Sequence, residues 1–526
     1  MSGDGRDGAG RNTTETDGSP AVERSEGEPV ESGNGEPVES SGHSGVENGS
    51  GAESGQSTTA IHAGFDAGPA AGSRSPPIHQ SASFAFPSAA EAAATYRLER
   101  DRDVYTRISN PTTRALERRL AALAGGTDAV ATSSGMAALD ALTTVLARAG
   151  DNVVASAEMY GGTSSYLART ASRRGVELRT VETTDPEAYA EAVDDRTAYV
   201  HVETLANPSL ATPDLEAVAD VAHDAAVPLV VDNTFATPAL CRPLEHGADV
   251  VWSSTTKWLH GAGTTVGGVV VDGGTFPWDH PDADYEELNG PNPAFGFDFV
   301  ERFGDTAFAA AVRHRGVRAL GDGQSPFDAW QTLQGVSTLP VRMERHCENT
   351  RIVAEHLRDH PAVAWVRYPG FEDHPTHDAA SEYLSGFGSV VVFGLDGGYD
   401  AGVTFCESVE TITFLANIGD TRSLVVHPAS TTHAQLDEEE QRAAGVSPDL
   451  LRLSVGLEDP SDLIADIDRA IAAATDTVSE GGDDSGGETT AGETATTTGD
   501  ETATGDETAT GDETATESAV ERGESQ

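Results

Sequence analysis

From about Asp128 onward, short apolar runs alternate with stretches of helical periodicity, and this alternation constrains the fold more than any other feature. The runs cover residues 129–132, 153–156, 198–203, 228–231, 250–253 and 268–271, with helical stretches such as 137–149 and 213–226 between them. Strand, helix, strand at this spacing predicts an α/β region with a mainly parallel sheet. Beyond about Ala311 the pattern changes. Longer helices are predicted near 327–333 and 340–357, then strands at 389–393 and 451–455, and an amphipathic closing helix over 461–474. This second region reads as α+β, and no repeat occurs within either.

The two ends have a different composition. Residues 1–56 carry 12 acidic residues and 3 Arg, with GEPVES occurring twice. Residues 478–526 carry 14 acidic residues and 1 Arg, with GDETAT three times in a row. Such segments hold too little apolar surface to order a chain, and both are expected to be disordered. The expected division is a tail over 1–56, an N-terminal arm and large domain over 57–310, a small domain over 311–477, and a second tail.

The whole chain has 33 Lys plus Arg against 86 Asp plus Glu, a formal charge of -53. General affinity for nucleic acid or an anionic membrane needs surplus positive charge and is excluded. No apolar run is long enough to span a bilayer and no charged-then-apolar leader is present, so a soluble cytoplasmic protein is expected. The acidity is not confined to the tails, because residues 57–477 still carry 60 acidic and 29 basic residues. That fits a cytoplasm held at high salt, although composition bias in a GC-rich genome would explain part of the lysine loss. The cysteines Cys241, Cys347 and Cys406 are far apart and lack metal-ligand spacing, so core packing is their expected role.

Ligands of α/β sheets bind beyond the carboxyl ends of the strands. The residues that follow the apolar runs here are Ser133-Ser134-Gly135-Met136, Met159-Tyr160-Gly161-Gly162, Asn207-Pro208, Asp232 and Ser254-Thr255-Thr256-Lys257. They outline a site for a phosphate and an aromatic heterocycle. Lys257 is the only lysine in 526 residues. A surface charge is served equally by arginine, which this chain uses everywhere else, whereas condensing an amine with an aldehyde is chemistry arginine cannot supply. Asp232 is placed to pair with a protonated pyridine nitrogen, and taken alone it reads equally as a turn cap. The Ser-Gly turn at 134–135 exposes N–H groups to an anion, though most such turns are only N-caps. Tyr160 suits stacking on a planar ring, or an ordinary turn.

Several long motifs occur together and in order: Tyr105-Thr-Arg-Ile-Ser-Asn-Pro-Thr112, Ser134-Gly-Met136, Tyr160-Gly-Gly-Thr163, Glu203-Thr-Leu-Ala-Asn-Pro208, Val231-Asp-Asn-Thr-Phe-Ala-Thr-Pro238, Ser254-Thr-Thr-Lys257 and Leu451-Arg-Leu-Ser-Val-Gly456. Over about 58–474 the chain resembles the Cys/Met-metabolism family of fold-type-I pyridoxal-phosphate (PLP) enzymes. The resemblance implies an aspartate-aminotransferase-like fold, with PLP held in the large domain and bound covalently by Lys257. It implies that Gly135, Met136, Ser254 and Thr256 hold the phosphate, joined by Tyr105 and Arg107 from a neighbouring subunit. Tyr160 would stack on the ring and Asp232 would face its nitrogen. Arg452, with Asn207 and Ser423, would bind the substrate carboxylate. Lys257 and one of Tyr105 or Tyr160 would carry protons, and no metal is implied. The assembly implied is a homotetramer of dimers with shared sites.

Within the family, residues 415–433, 342–349 and the insertion around 273–308 resemble the O-acetylhomoserine sulfhydrylase branch. That implies γ-replacement on O-acetyl-L-homoserine with sulfide or a thiol, in methionine biosynthesis. Cystathionine γ-synthase and a γ-lyase are the enzymatic alternatives, and a catalytically silent scaffold is the alternative of another class. One stretch departs from the branch: relatives carry Gly-Gly-His-Gly where this chain has His260-Gly-Ala262-Gly263.

Overall fold

The computed structural model describes residues 54–65, 72–182, 184–292, 294–443 and 445–481. The expected disorder of residues 1–53 and 482–526 lies outside the described residues. Seven strands form the first sheet: β1 (Asp128–Thr132), β2 (Asn152–Ser156), β3 (Glu177–Val181), β4 (Thr197–Glu203), β5 (Leu229–Asp232), β6 (Val250–Ser254) and β7 (Gly268–Asp272). Their spatial order is β1-β7-β6-β5-β4-β2-β3. The ladders from β3 through β2, β4 and β5 to β6 are parallel, and only β7 runs against its neighbours β6 and β1. A parallel pair needs a crossover, usually a helix, and residues 255–267 between β6 and β7 contain none. The antiparallel turn there is what holds Lys257.

Both faces of this sheet are covered, which explains its continuous apolar runs. Successive strand residues point to opposite faces and join separate cores. Val200, Val231 and Val251 pack with Leu116 and Leu120 of the helix Pro111–Ala124 and with Leu215 and Val218 of Leu215–Asp224. Tyr199, Val230 and Val250 pack on the other side with Leu139 and Leu142 of the helix Gly135–Leu146.

The second sheet contains β8 (Val363–Arg367), β9 (Val390–Leu395), β10 (Thr413–Phe414), β11 (Leu424–Val426) and β12 (Leu450–Ser454), in the order β10-β11-β12-β9-β8. Helices cover it through Phe405, Leu463, Ile467 and Ile471. The closing helix runs over Pro460–Gly481, past its expected end and into the first residues expected to be tail. Among the described residues no helix is long and apolar enough to cross a membrane.

Candidate active site

β4 and β5 end side by side, and each ends on a carboxylate: Glu203 and Asp232 are register partners. Asp232 Oδ1 accepts the Thr234 N–H at 2.9 Å and the Thr234 hydroxyl at 2.5 Å. Oδ2 accepts nothing from the described residues, although Asp232 is buried. Burial pushes its pKa up to about 6, since a carboxylate without a cation is poorly solvated here. A protonated ring nitrogen would supply the missing cation. Glu203 is also buried and is held well above the usual carboxylate range, first by burial and then by Asp232. Its Oε1 accepts the Tyr160 N–H at 2.6 Å and its Oε2 the Asn207 N–H at 3.2 Å.

Lys257 lies three residues past β6, fixed by the Gly261 N–H, which donates to its carbonyl at 2.7 Å. Its Nζ donates to Asn417 Oδ1 and to no carboxylate among the described residues. Burial, and then the charge of Arg452, bring its pKa down to about 8. Arg452 comes from β12 of the second sheet. Its guanidinium donates to Asn207 Oδ1 at 3.0 Å, and its buried Nε has no partner among the described residues. Burial lowers its pKa to about 10, against a smaller opposing effect of Tyr160. A buried guanidinium with a spare donor and no paired acid is suited to a ligand carboxylate.

The helix Gly135–Leu146 begins beside β6. Ser134 Oγ accepts the Ala137 N–H at 3.1 Å, which leaves the N–H groups of Gly135 and Met136 unpaired among the described residues. A Cβ at Gly135 would lie 2.9 Å from Ser254 Cβ, so glycine is what allows the helix to approach β6. The Ser254 N–H donates to Thr234 Oγ1 at 2.9 Å. Thr256 Oγ1 donates to the Gly267 carbonyl and accepts the Gly267 N–H at 3.0 Å.

Tyr160 is 47% exposed and caps the helix Gly161–Ser165. Its ring lies so close to Gly162 that a Cβ there would come within 2.4 Å of it. The structure thus brings together Lys257, Asp232, Asn207, Arg452 and Tyr160, with Gly135, Met136, Ser254 and Thr256 at the adjoining helix start. It does not bring Ser423 to them. That residue is fully buried; its hydroxyl donates to Glu458 at 2.9 Å and accepts the Gly456 N–H at 2.8 Å. Tyr105 and Arg107 lie together in an open groove with Phe86, Tyr96 and Arg318, the Arg107 guanidinium 5.4 Å from the Tyr105 ring centroid. No hydrogen bond joins either to Lys257 or Asp232 among the described residues. His260 turns away to Thr264 Oγ1 at 2.8 Å, and Ala262 is exposed.

Three residues of the site carried no role in the sequence reading. Glu203 was visible there as a second acid ending an apolar run. Thr234 and Asn417 had no such signal, because only the fold sets them beside Asp232 and Lys257. The residues present fit PLP: an open carboxylate oxygen, helix N–H groups beside Ser254 that are unpaired among the described residues, and an amine whose charge burial disfavours lie at the strand ends.

The family described as Cys/Met metabolism PLP-dependent enzyme matches residues 57–472. The O-acetyl-L-homoserine sulfhydrylase 1 of Thermus thermophilus is 46% identical over 419 residues, which cover 79% of this chain and 99% of that protein. The homocysteine synthase of Schizosaccharomyces pombe is 43% identical, over 79% of this chain and 98% of its own. Among solved structures, a putative O-acetylhomoserine (thiol)-lyase from Campylobacter jejuni, carrying pyridoxyl-lysine monophosphate, aligns with a TM-score of 0.76. It is 34% identical and covers 79% of this chain and 99% of that one.

Proposed function

The chain belongs to the Cys/Met metabolism PLP-dependent enzyme family, and from that membership we propose that it exchanges the acetate of O-acetyl-L-homoserine for sulfide, giving L-homocysteine and acetate. The observation that carries this reading is the approach of Lys257, which follows β6, to Arg452 of the second sheet, with the open carboxylate of Asp232 at the end of the neighbouring strand β5. A reactive amine, a carboxylate receptor and a counter-charge for a ring nitrogen are what an amino-acid-transforming PLP enzyme requires.

Bound PLP supplies an electron sink for charge that develops on the substrate carbons. Gly135, Met136, Ser254 and Thr256 would hold its phosphate, Tyr160 would lie on its ring, Asp232 would face its nitrogen, and Lys257 would anchor it. Arg452 and Asn207 orient the substrate carboxylate. The Lys257 amine, released when the substrate amine displaces it, would take the Cα proton, and a second proton would leave Cβ. Acetate departs from Cγ with the bonding electron pair, the sulfide sulfur bonds to Cγ, and protons return to Cβ and Cα. Tyr160 or Tyr105 carries one of these protons.

Tyr105 and Arg107, exposed and away from Lys257 in their own chain, support a tetramer built of dimers in which each completes a neighbour's phosphate site. The acid excess over residues 57–477 supports a cytoplasm held at high salt. The test is a product assay in molar salt, with O-acetyl-, O-succinyl- and O-phosphohomoserine each offered sulfide, cysteine and methanethiol. Homocysteine from the acetyl donor and sulfide is expected to form fastest. Cystathionine as the preferred product would move the chain to the γ-synthase branch, and loss of the donor side chain without replacement would make it a γ-lyase.

A further inference from the structure

Tyr160 and Arg452 stand on different elements and perform different tasks in the reading above, yet one side chain is bonded toward both. Glu203 ends β4, whose seven residues are all buried. No lysine, arginine or histidine is hydrogen-bonded to it among the described residues. Each of its oxygens accepts one backbone N–H, Oε1 that of Tyr160 at 2.6 Å and Oε2 that of Asn207 at 3.2 Å. From Asn207 the connection continues, because Asn207 Oδ1 accepts the Arg452 guanidinium at 3.0 Å.

Each end of this chain of bonds needs it. Tyr160 is nearly half exposed, so packing alone does not fix its ring, and its backbone bond to Glu203 is the anchor on the sheet side. Arg452 is partly buried, and Asn207 is the one side chain bonded to it among the described residues. A carboxylate suits the middle position because it only accepts. Glutamine would present an NH2 group to one of the two N–H donors, and aspartate, shorter by one methylene, would not reach both.

We propose that Glu203 is a positioning residue that ties Tyr160 to the Asn207–Arg452 pair, so that the ring wall and the carboxylate receptor hold one geometry. This rests on the PLP reading for what the two ends bind, but the tie itself belongs to the chain. Its bonds to these two N–H groups also explain why an acid is kept where burial and Asp232 both penalise one. The two N–H groups would otherwise be left unpaired, which is comparably costly.

The experiment uses the full chain in molar salt, as wild type, Glu203→Gln and Glu203→Asp. Four quantities are read: the PLP dissociation constant of PLP-stripped protein, KM and kcat for O-acetyl-L-homoserine, and amide exchange at Tyr160 and Asn207 without PLP. Loss of a hydrogen bond that leaves a buried N–H unpaired corresponds to about tenfold in an equilibrium constant. Each variant is therefore expected to raise both the PLP dissociation constant and KM about tenfold, with kcat within about threefold, and to speed exchange at both amides. A folded variant that binds PLP and substrate as the wild type does, whatever its unfolding temperature, overturns the proposal. If neither variant folds, wild-type exchange decides: protected Tyr160 and Asn207 amides support the tie, and unprotected ones overturn it. Wild-type protein that binds no PLP would defeat the enzyme reading instead, and the same amide exchange would still decide on Glu203.

Discussion

Burial retunes the Lys257 amine and the Asp232 carboxyl in opposite directions, and two pH-linked outcomes follow. An amine captures an aldehyde only when neutral, so PLP uptake by stripped protein is expected to rise with pH around a midpoint near 8 rather than near the ordinary lysine value. Arg452 contributes to that depression by repelling the ammonium form. Arg452→Gln is therefore expected to move the midpoint upward, read from absorbance-monitored uptake at a series of pH values; a midpoint that stays or falls would contradict the assignment. At Asp232 the sign is opposite. Folding raises this carboxyl from its ordinary value near 4 to about 6, so stability is lost as pH climbs through that window and stays lost at neutral pH. Asp232→Asn keeps an oxygen for both Thr234 donors. It is expected to raise the unfolding temperature of PLP-free protein at pH 7 by a few degrees while weakening PLP binding. A drop in stability would mean that the charge is already compensated without PLP.

The helix Gly135–Leu146 shows how an element can be built for one approach. Ser134 takes up the Ala137 N–H and leaves those of Gly135 and Met136, beside Ser254, unpaired among the described residues. Gly135→Ala places a methyl group against the Ser254 side chain, so the helix start must shift; PLP affinity, measured by fluorescence titration, is expected to fall about tenfold or more, with little change in helix content. Unchanged affinity would place the phosphate elsewhere. The strands that shape this edge were legible because they are buried on both faces and read as unbroken apolar runs. β3, Glu-Leu-Arg-Thr-Val, is the partly exposed sheet edge and carries no such run, and β8, β10 and β11 are edges or only two to three residues long. The antiparallel direction of β7 depends on a missing crossover helix, and the commitment of Ser423 to Glu458 depends on contacts across the second sheet. Neither is a property of local sequence. Lys257 was legible for the opposite reason, as a unique residue type in a chain that otherwise uses arginine.

Over residues 57–477 the excess of 31 negative charges acts on the molecule as a whole. Exposed carboxylates repel one another and favour the open chain, and at ~1 M salt the Debye length of about 3 Å removes most of that repulsion. Unfolding temperature and subunit association are expected to rise from dilute buffer to molar salt, and equally in a fragment of residues 57–477. Full stability of that fragment in dilute buffer would remove the support for a high-salt habitat. If Tyr105 and Arg107 serve a neighbour, inactive Lys257→Ala and Arg107→Ala chains reassembled together are expected to regain part of their activity, and verified mixed oligomers without recovery would contradict shared sites. All of this assumes that one amine holds the cofactor. Borohydride reduction of PLP-loaded protein, digestion and mass spectrometry test that directly: the pyridoxyl group is expected on the peptide containing Lys257 and nowhere else, and recovery of that peptide unmodified from protein that turns over substrate would contradict the account.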